Sequence, residues 1–143
     1  AWRRRMRRLF VDTSGWASLA DADQQFHSLA KSHYAVFRQD NARFVTTNYV
    51  IAELIALLTS PIRMSRARVI EYVQSIKMST NVVIAHVDKE MDSRSFEFLQ
   101  KRGDKAWSLV DCSSFLLMQE EGIADALTTD HHFEQAGFVR LLK

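Results

Sequence analysis

Cysteine and proline each occur once in the 143 residues, and glycine four times. A single cysteine, Cys112, closes no internal disulfide and builds no cysteine-rich zinc framework, which suits a reducing cytosol. Its side chain reads as a small buried apolar group. One proline, Pro61, and few glycines leave room for long helices and give no sign of a flexible linker. Long apolar runs are missing too. No stretch approaches the roughly 18 apolar residues of a membrane span, so no membrane association is expected. The basic start is followed only by a short apolar run broken by Asp12, unlike a secretory leader, so a cytoplasmic protein is expected.

Neither sign of charge dominates. The formal net charge is +2, yet five arginines (3, 4, 5, 7 and 8) sit in the first eight residues. Without them, 14 of the 19 basic side chains face 17 acidic ones, a balance of −3. A mildly acidic body does not grip nucleic acid with its whole surface; RNA would have to be met through local patches and metal ions. Met6 is a candidate start, which would make residues 1–5 an extension, and residues 1–7 are read together as a basic N-terminal extension. Residues 8–143 are read as one domain, long enough to bury a real core.

Along the chain, short apolar runs alternate with amphipathic ones. Strands are expected at 9–11, 43–46, 82–87, 126–128 and 138–141, and helices at 14–22, 24–38, 48–59, 65–77, 88–102 and 108–121, with a short helical turn at 131–136. Ser65 reads as a cap, and Gly103 and Gly122 as helix stops. The alternation points to an α/β fold, an α/β/α sandwich with a mostly parallel central sheet. In such sheets ligands bind beyond the carboxyl ends of the strands. Asp12 and Asp130 fall there.

Each notable acid has a purely structural explanation beside a chemical one. Asp12, at a strand-to-helix junction, can cap the helix through its side chain. Asp111 stands three residues after Ser108, as in a capping box, although the face it shares with Phe115 and Met118 is apolar and turns it inward. Asp130 can be a turn residue before the last helical segment. Glu53 is harder to explain structurally, and a salt bridge to an arginine distant in sequence is its structural alternative. It is the only charge in Tyr49-Val50-Ile51-Ala52-Glu53-Leu54-Ile55-Ala56-Leu57-Leu58, a helix apolar nearly all round and therefore expected to be buried. A buried carboxylate needs a cation or hydrogen-bond donors, and no lysine or arginine lies within that helix.

Taken together, acids at strand ends and helix starts, without cysteine ligands, favour hard cations such as Mg²⁺ or Mn²⁺. Clustered carboxylates repel one another, and a divalent ion relieves that repulsion while activating water against a phosphodiester.

Four segments now make a pattern: Phe10-Val11-Asp12-Thr13-Ser14, Thr46-Thr47-Asn48-Tyr49-Val50-Ile51-Ala52-Glu53, Ser108-Leu109-Val110-Asp111-Cys112, and Leu127-Thr128-Thr129-Asp130-His131-His132-Phe133 with Gly137-Phe138. In this order they resemble the PIN domain, and more narrowly the VapC toxins of bacterial VapBC toxin–antitoxin pairs, over nearly the whole chain. The resemblance implies an acidic quartet of Asp12, Glu53, Asp111 and Asp130 that holds Mg²⁺ or Mn²⁺. It adds Asp104 as a further acid and Thr13, Ser14 and Thr128 as hydroxyls near the metal. It implies hydrolysis of RNA, in tRNA or rRNA loops, leaving a 5′-phosphate and a 3′-hydroxyl. It also implies a homodimer and a cognate VapB-like antitoxin whose tail blocks the site.

Several features stay open at this level. Lys101, Arg102 and Lys105 suit RNA phosphates or a solvated helix end, and Trp16, Trp107 and Tyr49 suit base stacking or core and dimer packing. Phe26, Leu29 and Phe37 suit core or antitoxin contact. His131 and His132, being adjacent, point to different faces and are expected to be surface or packing residues. Two rival functions remain. One is a catalytically silent PIN-like module that binds protein or RNA. The other is a receiver-like regulatory domain, which wants paired acids after the first strand and a lysine after the last-but-one; neither is present.

Overall fold

A computed structural model describes residues 6–143; Arg3, Arg4 and Arg5, and with them most of the basic extension, lie outside the described residues. The elements run β1 (Arg8–Val11), α1 (Thr13–Ala20), α2 (His27–Gln39), β2 (Arg43–Thr47), α3 (Asn48–Thr59), α4 (Arg66–Met78), β3 (Val82–Ala85), α5 (Lys89–Lys101), α6 (Leu109–Glu121), β4 (Asp125–Leu127), α7 (His132–Gln135) and β5 (Val139–Arg140). Helix boundaries follow local chemistry. Ser65 caps α4 through its hydroxyl, Asp88 caps α5, and Ser108 opens α6 in a full capping box with Asp111. Gly122 ends α6 at φ 67°, a left-handed position that suits glycine.

The five strands form one sheet in the order β3-β2-β1-β4-β5, every neighbouring pair parallel. The expectation of a mostly parallel sheet thus becomes an all-parallel one, with helices on both faces as an α/β/α sandwich. A receiver-like domain would place its strands in the order 2-1-3-4-5; this order excludes it. The chain winds outward from β1 through β2 to β3, then returns to lay β4 against the other side of β1. Val11 pairs with Leu127 across that seam. The carboxyl ends of β1 and β4 therefore meet where the winding reverses, the place such sheets leave open for a ligand.

Beneath the seam Phe10, Phe44, Phe115 and Phe133 are fully buried, and Phe115 meets Phe133 and Trp107 edge-on with centroids 4.9 and 5.0 Å apart. Trp16 and Trp107 belong to this interior. Their indole N–H groups donate to Thr46 Oγ1 (3.2 Å) and Gln135 Oε1 (2.9 Å), so neither ring is free to stack on a base. Phe37 is likewise core, with the Arg7 guanidinium 3.9 Å above its ring. Arg7 also pairs with Asp40 (2.6 Å) and Arg8 with Glu121 (3.0 Å), so the last two arginines of the basic start are tied to the body.

One expectation is corrected. Helix α3 is not buried all round. Val50, Ile51, Leu54 and Leu58 face the core, while Ala52, Glu53, Ile55 and Ala56 are exposed. Hydropathy alone could not separate a core face from an apolar surface.

Candidate active site

The site is assembled at the carboxyl ends of the two central strands. Chain leaving β1 turns at Asp12 straight into α1, and Asp12 N–H donates to Leu127 O at 3.2 Å, locking this turn to the end of β4. Gly15 makes the approach possible: a Cβ there would lie 2.1 Å from Leu127 O. Asp12 takes the N-cap position of α1, yet its side chain makes no capping bond. It accepts instead from Thr128 Oγ1 at 2.9 Å. That hydroxyl also accepts from Asp130 N–H (3.0 Å) and lies 3.1 Å from Ser14 Oγ, which accepts from Thr129 N–H (3.0 Å). Arg140 Nη1 donates to Thr129 O (2.9 Å), pinning the far side of the same loop. Thr128 and Ser14 thus stitch the β1 and β4 loops together.

Glu53 comes to this cluster from α3, and Thr13 Oγ1 donates to its Oε1 at 2.7 Å. Asp111 comes from the first turn of α6 and Asp130 from the loop after β4. Asp111 keeps its structural role too, accepting from Ser108 N–H (3.1 Å) within the capping box. Asp130 Oδ1 accepts from His132 N–H (2.9 Å), the turn anticipated for it. Structural and chemical roles coexist in both.

The electrostatics join the acids. Burial is the main force on Asp12 and pushes its carboxyl from an ordinary 3.8 up to about 7; hydrogen bonds from Thr13 N–H and Thr128 oppose that rise, while the charges of Asp111 and Glu53 add to it. Burial also raises Asp111, opposed by the Ser108 bond and reinforced by the charge of Asp130. Among the described residues no lysine or arginine pairs with any of the four. A buried carboxylate whose neighbours are other carboxylates and neutral hydroxyls is one that a divalent cation would stabilise. The donor set is oxygen-rich and fits a hard divalent ion such as Mg²⁺ or Mn²⁺.

Asp104 is not tied into this network. It is exposed and pairs with Arg102 (3.0 Å) and Lys105 (4.0 Å), which also spends much of the nearby basic run. Lys101 pairs with Glu97 (2.9 Å). His132, in contrast, was missed. Adjacent histidines do diverge, but His132 turns inward, its Nδ1 lying 3.2 Å from Asp111 Oδ2 and 3.3 Å from Asp130 Oδ1. Spacing rules for metal ligands look for two histidines on one face; they do not register one histidine beside an acid.

A groove of about 490 Å³ lies elsewhere, lined by Trp16, Tyr34, Tyr72, Lys31 and Arg38 among others. None of the four acids lines it.

Comparison with known proteins bears on this arrangement. A family profile for the PIN domain matches residues 9–139. Two curated relatives, from the CDC 1551 / Oshkosh and H37Rv strains of Mycobacterium tuberculosis, are each described as the 23S rRNA-specific endonuclease VapC20. Each is 33% identical over 133 residues, 93% of this chain and 97% of theirs. A crystal structure of Mycobacterium tuberculosis VapC20, described as a sarcin-ricin loop cleaving toxin, superposes with a TM-score of 0.82 at 30% identity, covering 94% of this chain and 99% of that one.

Proposed function

Because this chain belongs to the PIN-domain family, among its VapC-type toxins, we propose that it is a metal-dependent endoribonuclease that cuts a loop of ribosomal RNA. The observation that carries the reading is Asp12: a buried carboxyl raised to about 7, coupled to Asp111 and Glu53, with no basic partner. The substrate class rests on the identity to proteins named for 23S rRNA cleavage. Shared fold alone would not supply it.

Asp12, Glu53, Asp111 and Asp130 are the residues that would hold the ion, with Thr13, Ser14 and Thr128 fixing their orientation. A bound divalent cation supplies acidified water and offsets phosphodiester charge. The chain's own contribution is preorganisation. Thr128 holds Asp12 through Oδ2, and Thr13 fixes Glu53 through Oε1. The loop bonds of Ser14 and Arg140 keep Asp130 in place without reorganisation during reaction.

No described helix is long and apolar enough to cross a membrane, and a cytoplasmic site of action follows from a ribosomal substrate. A VapB-like antitoxin is the expected inhibitor. A homodimer is supported by the apolar exposed side of α3 and α4.

The test is cleavage of purified ribosomes, with 5′ ends mapped by sequencing. Wild type is expected to cut at one loop and to stop when EDTA is added. Asp12→Asn and Glu53→Gln are expected to lower the rate at least a hundredfold while keeping the wild-type circular dichroism. Cleavage that survives EDTA, or an active Asp12→Asn protein, overturns the reading.

A further inference from the structure

Sequence places two imidazoles directly after Asp130, and the structure treats them differently. The His131 side chain is 63% exposed, whereas His132 is 20% exposed. The bond from His132 N–H to Asp130 Oδ1 closes a tight turn that folds the His132 ring back over the carboxylate. Its Nδ1 then meets oxygens from two separate elements, Asp111 Oδ2 on α6 at 3.2 Å and Asp130 Oδ1 at 3.3 Å. Neighbouring ligand atoms around a six-coordinate dication with bonds of about 2.1 Å stand about 3 Å apart. His132 Nδ1 thus stands at close to that spacing from a carboxylate oxygen of each acid. Asp130, His131 and His132 also present ligand atoms mutually within 4.8 Å.

We propose that His132 Nδ1 is a ligand of the cation held by Asp111 and Asp130, so that this site is a mixed nitrogen–oxygen one favouring first-row transition dications over Mg²⁺. The inference rests on the reading of the acids as a metal site. Its physical basis is that imidazole binds such dications well, while Mg²⁺ keeps to oxygen and retains its water. The competing role for His132 is a hydrogen bond that merely holds the two carboxylates.

Pulsed EPR of Mn²⁺-loaded protein separates the two. Wild type is expected to bind Mn²⁺ and to show the ¹⁴N coupling of a directly bonded imidazole, replaced by ¹⁵N coupling on labelling with ¹⁵N-histidine. That signal is expected to persist in His131→Asn and vanish in His132→Asn. By calorimetry, His132→Asn is expected to weaken Mn²⁺ on the order of tenfold and to change Mg²⁺ far less. Metal-free melting of the variant checks its fold, and the labelled wild type tests for bonded nitrogen even should that variant fail to fold. Mn²⁺ bound without nitrogen coupling overturns the His132 assignment alone. A coupling lost in His131→Asn instead assigns the wrong ring and overturns it as well. A wild type that binds no Mn²⁺ overturns the metal reading itself.

Discussion

Asp12 concentrates the tension in this molecule between stability and chemistry. Its carboxyl is raised from 3.8 to about 7, chiefly by burial. Between those values the folded protein keeps a proton that the unfolded chain has released. Stability from this group is therefore present in full below about pH 4 and is lost as pH rises towards 7. Three units correspond to roughly 4 kcal/mol. Asp111, raised for the same main reason, acts in the same direction. The metal-free wild type is expected to lose stability to urea between pH 5 and pH 8. Asp12→Asn, neutral and nearly isosteric, is expected to be more stable than wild type at pH 8 by about 2–4 kcal/mol and nearly equal at pH 4. Adding Mg²⁺ or Mn²⁺ at pH 8 should stabilise the wild type much more than the variant. An Asp12→Asn protein no more stable than metal-free wild type at pH 8 would contradict this account.

Among the elements, the junction of β1 with α1 positions the site, and Gly15 permits it. The atom a larger residue would strike is a backbone oxygen at the end of β4, not a yielding side chain. Gly15→Ala must push α1 from β4 and stretch the Asp12–Thr128 bond. We expect a loss of at least about 3 kcal/mol in denaturant unfolding. In any folded fraction, activity should fall further than stability accounts for. An alanine variant of wild-type stability and rate would show that the approach is not needed. Element ends were legible because local chemistry sets them: Ser65, Asp88, Ser108 and Gly122 mark helix boundaries in any context. Asp12 and Asp130 were legible for a related reason, since strand ends in parallel sheets face the binding crevice. The exposure of Glu53 was not, because hydropathy reports an apolar surface without saying whether this chain's own core covers it. Nor was the turn of His132 between Asp111 and Asp130, which depends on α6 and the β4 loop meeting across 21 residues of sequence. Asp104 looked like its fellow acids in composition, but Arg102 two residues earlier claims it.

At the scale of the whole molecule, the exposed side of α3 and α4 is the feature that one chain leaves unexplained. Ile55 and Ile70 are 42% and 49% exposed, and with Val69 and Val73 they line an apolar groove of about 200 Å³. Isolated surface isoleucines are ordinary, but two on adjacent helices around one apolar groove form a patch that water penalises. A second copy can cover it with the same patch. In a two-fold interface every residue of the patch occurs twice, so one substitution acts twice. Wild type is expected to sediment at twice the 16.5 kDa of the chain. Ile55→Glu combined with Ile70→Glu would set like charges against each other in desolvated surroundings, and the double variant is expected to sediment as a monomer with unchanged circular dichroism. Both residues face away from the core, so neither change should unfold the protomer. A wild type that stays monomeric at tens of micromolar, or a double variant that still dimerises, would place the interface elsewhere.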